Sequence, residues 1–148
     1  MLTIDASVWI SAMSTSESDS VGSRTFLDLV GSSQLTVVAP TLLVVEIAAA
    51  VARSRNDQAL SIELADAVWT LPFIRWIPLD AELTGTALRL AAKCKLRGAD
   101  AVYAAVASTY ACRLISLDQE HLARLGDFVS VQTPTSAAAW LAEMKRPS

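Results

Sequence analysis

Five short strand-like runs, Leu2 to Ile4, Leu35 to Ala39, Arg75 to Ile77, Arg113 to Leu117 and Phe128 to Val131, alternate with longer stretches of helical periodicity. That alternation restricts the chain to an α/β fold with a mostly parallel sheet, because strands separated by helical crossovers bury both of their faces. The 148 residues fit one domain spanning positions 1–148, large enough to build a core without disulfide staples.

The helical stretches carry their own boundary signals. Ser16, Ser18, Asp19 or Ser20 starts a helix reaching about Val30, after a polar loop from Ser14 to Ser20. Pro40 ends the second strand and Thr41 is the N-cap expected for the next helix. Asn56 or Asp57 caps a helix whose Leu60, Leu64, Val68 and Leu71 share one face, and Pro72 ends it. Asp80 caps a helix from Ala81 to about Lys95, which Gly98 separates from another running from Ala101 to Tyr110. A last helix is expected from Ser136 to Lys145, after Pro134.

One residue conflicts with its surroundings. Glu46 lies inside the apolar stretch Leu42 to Ala52, and the positions three and four away from it are Leu42, Leu43, Ala49 and Ala50. No ion pair at helical spacing can compensate it. The helix is apolar nearly all round until Arg53 and Arg55, so it is expected to be buried. A buried carboxylate costs several kcal/mol unless it is protonated, paired or bound to a metal. Its partners must come from other segments.

Three further carboxylates are carried to the same edge. Asp5 follows the first strand and Asp118 the fourth, which puts both at the carboxyl ends of parallel strands, where open α/β folds bind ligands. Asp100 opens a helix just before the fourth strand, and Glu46 lies early in the helix after the second. Asp5, Asp100 and Asp118 also stand where an Asp commonly caps a helix, a competing role for each. Two carboxylates about 4 Å apart repel by roughly 4 kcal/mol at an effective dielectric near 20. Four together require a countercharge, and a hard cation with oxygen ligands, Mg²⁺ or Mn²⁺, is expected. One His and two isolated Cys make a zinc site improbable. Such an acidic cation site suits hydrolysis of a phosphodiester, and no glycine-rich phosphate loop points to a nucleotide triphosphatase.

The same residues form a pattern. Ile4-Asp5-Ala6-Ser7, Glu46 in its apolar helix, Arg97-Gly98-Ala99-Asp100-Ala101 and Leu114-Ile115-Ser116-Leu117-Asp118 resemble, in order and spacing, the four signatures of the PIN-domain nucleases. The short chain most resembles their VapC-like members, the toxins of type II toxin-antitoxin pairs. That resemblance implies a three-layer α/β/α sandwich and a Mg²⁺- or Mn²⁺-dependent endoribonuclease cutting transfer or ribosomal RNA. It implies a homodimer and a small antitoxin that covers the site. It also makes Asp5, Glu46, Asp100 and Asp118 catalytic and metal-binding, with Ser7 and Ser116 as supporting polar groups.

Other features fit less specifically. Twelve basic against fifteen acidic residues give a net charge of −3, so RNA contact must be local. Arg53 and Arg97, with Arg55, Lys93 and Lys95, form a candidate basic rim, each with a solvated helix end as its other reading. His121 is expected to be a solvated surface histidine, with a role behind the acids as the alternative. Trp69, Phe73 and Trp76 are read as core or interface residues. Cys94 and Cys112 read as reduced thiols, Cys94 continuing the apolar stripe of Leu83, Ala87, Leu90 and Ala91. Mean hydropathy is +0.41, consistent with a large core or with apolar surface that meets a partner.

Asp5 interrupts the first apolar run, and the charge-free stretch Leu29 to Val45 contains Gly31, Ser32, Ser33, Gln34 and Pro40. Neither a signal peptide nor a membrane span is expected, so the cytoplasm is the expected compartment. Two other functions remain open at this level besides a PIN-like nuclease outside a toxin pair. A receiver-type phosphoacceptor domain also gathers Asp residues and Mg²⁺ at a parallel sheet edge, but no Lys occurs between Lys95 and Lys145 to serve it. A silent interaction module would use the acids as caps alone.

Overall fold

The structure, a computed structural model, describes residues 1–16 and 18–144. Glu17 in the polar loop and the end expected for the last helix, Lys145, lie outside the described residues. Five strands, β1 (Leu2–Ile4), β2 (Val37–Pro40), β3 (Ile74–Ile77), β4 (Arg113–Ile115) and β5 (Val131–Gln132), pair in the order β3-β2-β1-β4-β5, all parallel. Among the described residues eight helices cover the sheet: α1 (Ala6–Met13), α2 (Ser20–Gly31), α3 (Leu42–Arg55), α4 (Gln58–Trp69), α5 (Ala81–Cys94), α6 (Gly98–Thr109), α7 (Gln119–Arg124) and α8 (Pro134–Met144). The result is a three-layer α/β/α sandwich.

Chain direction fixes where a ligand would sit. From β1 the chain steps to β2 and β3, then returns to the other side of β1 to make β4 and β5. The direction reverses between β1 and β4, and in open parallel sheets that switch point opens a crevice beyond the strands' carboxyl ends.

Burial on both faces explains why the central strands lack polar alternation. Leu2, Ile4, Val37, Val38, Leu114 and Ile115 are all fully buried, and each such side chain contributes about 1.5–3 kcal/mol relative to exposure. Helix α6 lies across β1, β2 and β4. It can do so because Ala101, Ala104, Ala105 and Ala107 add little bulk on a helix buried from Ala101 to Ala107. Helix α5 packs on α6 and turns Leu83, Ala87, Leu90 and Cys94 inward, the stripe expected from the sequence.

Several boundaries differ from expectation. Helix α5 ends at Lys95 as expected, but the start of α6 does not fall at Ala101: Lys95 takes φ 54°, and the Leu96 N–H reaches back to the Ala91 carbonyl at 3.1 Å. This is a Schellman cap, with Leu96 buried as its apolar anchor. Gly98 is consequently the first residue of α6, behind the N-cap Arg97. Of the two residues expected to cap α4, Asp57 does so by accepting from the Leu60 N–H at 2.9 Å, while Asn56 holds the left-handed end of α3 at φ 49°. The last strand is Val131–Gln132, because the chain at Phe128 is still in a turn closed on the Leu125 carbonyl.

Helix α3 is not buried all round. Leu43, Ile47 and Val51 form its buried stripe against α1 and α4, while Val45 is 62% exposed. The apolar composition misleads here because nothing among the described residues covers Val45 on the outer face. No helix among the described residues is long and apolar enough to cross a membrane.

Candidate active site

Register brings the first two polar groups together. Ile4 pairs with Ile115, so the next residues, Asp5 and Ser116, emerge side by side at the switch point, and the Asp5 N–H donates to the Ile115 carbonyl at 2.9 Å. Asp5 occupies the N-cap position of α1, yet its side chain makes no capping bond. Its Oδ2 instead accepts from the hydroxyls of Ser7, at 2.7 Å, and Ser116, at 2.9 Å. Those hydroxyl oxygens in turn accept the N–H groups of Leu117, at 3.1 Å, and Asp118, at 3.0 Å. Asp5 is therefore a buried, doubly held carboxylate, and the capping role is set aside for it.

Asp100 is also not a cap, since Arg97 holds the N-cap position of α6. Its Oδ2 is buried with no hydrogen-bond partner among the described residues. Asp118 does cap: its Oδ1 accepts from the Glu120 N–H at 2.7 Å at the start of α7. Glu46 finds its partner on α6, where the Tyr103 hydroxyl donates to Oε2 at 2.5 Å.

His121 overturns its expectation. The ring is fully buried between the acids, with Nδ1 3.0 Å from Ser116 Oγ and Nε2 3.2 Å from the Asp100 carbonyl. Ser116 has one hydroxyl proton and gives it to Asp5, so Nδ1 faces an acceptor, as does Nε2. Asp5 Oδ2 and Asp100 Oδ1 lie 3.8 and 3.9 Å away. His121→Ala, which leaves these acceptors facing a void, is expected to lower the unfolding free energy by about 2–4 kcal/mol. Urea denaturation checks this, and an unchanged midpoint would show that the ring is no brace.

Burial and mutual repulsion set the charge states. Glu46 is raised above its ordinary value, chiefly by loss of solvent; the Tyr103 bond opposes this, and Asp5 and Asp100 add to it. Asp100 is raised by desolvation first, with His121 pulling it down and Asp118 and Asp5 pushing it up. Burial and the Glu46 charge drive the Tyr103 phenol upward, so it stays a proton donor. Asp5, Asp100 and His121 can each place one ligand atom within 4.8 Å of the others. The orphaned Asp100 oxygen and the two raised carboxylates fit a divalent cation, which would supply the charge the cluster lacks.

Of the other expected residues, Arg97 is near enough to Asp100 to stabilise its charge, whereas Arg53 is exposed at the far end of α3. Arg55 is committed elsewhere, donating to the Met13 carbonyl at 2.7 Å. Lys93 sits over the Phe128 ring at 4.7 Å. Trp69 and Trp76 stack at 4.7 Å beside the edge strand β3, with Trp69 45% exposed. Tyr103 was hidden within an apolar helix; its position three residues after Asp100, hence on the same face, was the available signal.

These features define an α/β protein with a partly buried acidic cluster at its topological switch point. The chain belongs to the PIN domain family, whose profile matches residues 2–127. Solved structures share the fold. The VapC20 toxin of Mycobacterium tuberculosis, which cleaves the sarcin-ricin loop, superposes with a TM-score of 0.72 at 17% identity, covering 89% of this chain and 99% of its own. FitAcB from Neisseria gonorrhoeae gives 0.69 at 18%, covering 90% and 98%. VapBC2 from Rickettsia felis, solved bound to a promoter DNA fragment, gives 0.67 at 12%, covering 89% and 97%. No curated protein sequence matches the chain at a significant level.

Proposed function

We propose that the protein is a divalent-metal-dependent endoribonuclease, the toxin of a toxin-antitoxin pair, acting on transfer or ribosomal RNA. The observation that carries this reading is Asp100 Oδ2, buried and unpartnered beside Asp5 in a chain of the PIN family. The similar structures named above include a toxin that cleaves the sarcin-ricin loop, and another is a toxin-antitoxin complex from Klebsiella pneumoniae.

In this reading residues 1–148 act as one nuclease domain, and Asp5, Glu46, Asp100 and Asp118 would hold Mg²⁺ or Mn²⁺. Such an ion, when bound, supplies positive charge to the phosphate and makes water more acidic at neutral pH. The protein's own groups supply geometry. Ser7 and Ser116 hold Asp5 through one oxygen and leave the other to the cluster. His121 ties Ser116 to the backbone at Asp100, so the strand ends and α6 keep a fixed separation. Tyr103 holds Glu46 by its Oε2 on the facing helix. Arg97, and Arg53 more remotely, would contact RNA phosphates. A homodimer and a small antitoxin complete the proposal, with exposed Leu79 and Leu88 as apolar surface for such contacts; the cytoplasm is the proposed location.

The test is direct. Purified protein should cut transfer or ribosomal RNA in Mn²⁺ or Mg²⁺ and leave it whole in EDTA. RNA that stays intact in every divalent ion, with the protein folded, would overturn the nuclease reading.

A further inference from the structure

Tyr103 joins the two halves of the site that the sequence keeps 57 positions apart. It lies one turn after Asp100 on α6, on the same face, and its ring is fully buried. Its hydroxyl donates to Glu46 Oε2 at 2.5 Å on α3. The backbone of Ala6, next to Asp5, lies close enough to the phenol oxygen to act on its charge. One hydroxyl group therefore touches, or shares a helix face with, three of the four acidic segments.

Glu46 needs such a hold more than its neighbours do. Asp5 is fixed by two serine hydroxyls and Asp118 by its cap. Glu46 has a longer side chain, lies on a helix where Val45 is open to solvent, and among the described residues takes its side-chain hydrogen bond from Tyr103 on another helix. Helix α6, buried from Ala101 to Ala107, is by contrast a rigid base for the Tyr103 ring. A hydrogen bond from a rigid donor selects one rotamer of a flexible acceptor, which is how groups behind a metal ligand tune a site.

We propose that Tyr103 is a positioning residue. It holds Glu46 by Oε2, leaves Oε1 as the oxygen presented to the cation, and sets the distance between Glu46 and Asp100 from a single helix. This rests on the metal-nuclease reading above. Tyr103 touches neither RNA nor the reacting atoms; it acts through Glu46.

Tyr103→Phe removes the donor and keeps the buried ring, so the fold is retained. Titration calorimetry of the full-length protein with Mn²⁺ alone should show affinity weakened about 10- to 100-fold, and RNA cleavage at limiting Mn²⁺ should fall with it, recovering in part at saturating metal. The same substitution made on Glu46→Gln should change Mn²⁺ affinity less than two-fold, a coupling that mere packing would not produce. If the parent binds Mn²⁺ and Tyr103→Phe binds it equally well, or if the loss is the same size on Glu46→Gln, the role of Tyr103 is overturned and the nuclease reading stands. A folded parent that binds no Mn²⁺ overturns both.

Discussion

Asp5→Asn is expected to reduce RNA cleavage about 100-fold or more while the protein stays folded. The substitution is close to a pure charge deletion at this site. Both hydroxyl donors, Ser7 and Ser116, converge on Oδ2 of the carboxylate. An asparagine can place its carbonyl oxygen there and keep both bonds, which turns its amide towards the cluster. That amide donates where an oxygen had offered a lone pair, so it cannot ligate a cation. Relief of repulsion with Asp100 and Glu46 favours the folded variant, since Asp5 raises both of those acids. Single-turnover cleavage in saturating Mn²⁺, with circular dichroism as the control, decides the matter. Cleavage within a factor of a few of the parent would remove Asp5 from the catalytic set.

Asp5 was legible because two independent features, a strand end and an Asp-x-Ser spacing, agreed on it. The bonds from Ser7 and Ser116 to Asp5 follow from features of short range, strand register and side-chain reach. His121 was not legible. Its burial depends on how α7 folds back over the switch point and on the carbonyl of Asp100, contacts made across 21 positions, and a solitary polar residue after an Asp gives no periodic signal for them. Glu46 was read correctly as a charge in need of a partner, yet the helix around it was read as wholly buried. Periodicity reports which face is apolar; it does not report whether anything covers that face. Val45 shows the difference. The end of α5 at Lys95 was legible, but Gly98 was read as the break between helices, whereas it is the first residue of α6 behind the N-cap Arg97. Strand order needed the structure as well: alternation specified parallel pairing, but the reversal between β1 and β4 that makes the crevice is set by which helices pack on which face.

The second large effect is an inversion of stability order. In EDTA at pH 7, Glu46→Gln should be more stable than the parent, and in Mn²⁺ it should be less stable. The sign follows from proton linkage. Glu46 is raised above its ordinary value of 4.5 in the folded protein. Between that value and the raised one, the folded state binds more protons than the unfolded state, so stability falls as pH rises through the window. At neutral pH the ionised Glu46 opposes folding, and Gln removes that penalty while still accepting from Tyr103. The side chain is only half-buried, so solvent screening limits the gain to at most about 1 kcal/mol, or about 2–4 °C in Tm for a chain of this size. The gain should vanish near pH 4. Mn²⁺ reverses the balance, because a ligand at about 100 times its Kd stabilises the protein that binds it by about 2.7 kcal/mol. The parent should collect that stabilisation and Glu46→Gln should lose most of it. Thermal melts of both proteins, with and without Mn²⁺, at pH 4 and pH 7, contain the whole test. Parallel curves in all four conditions would mean that Glu46 is neither strained in the free protein nor engaged by the ion.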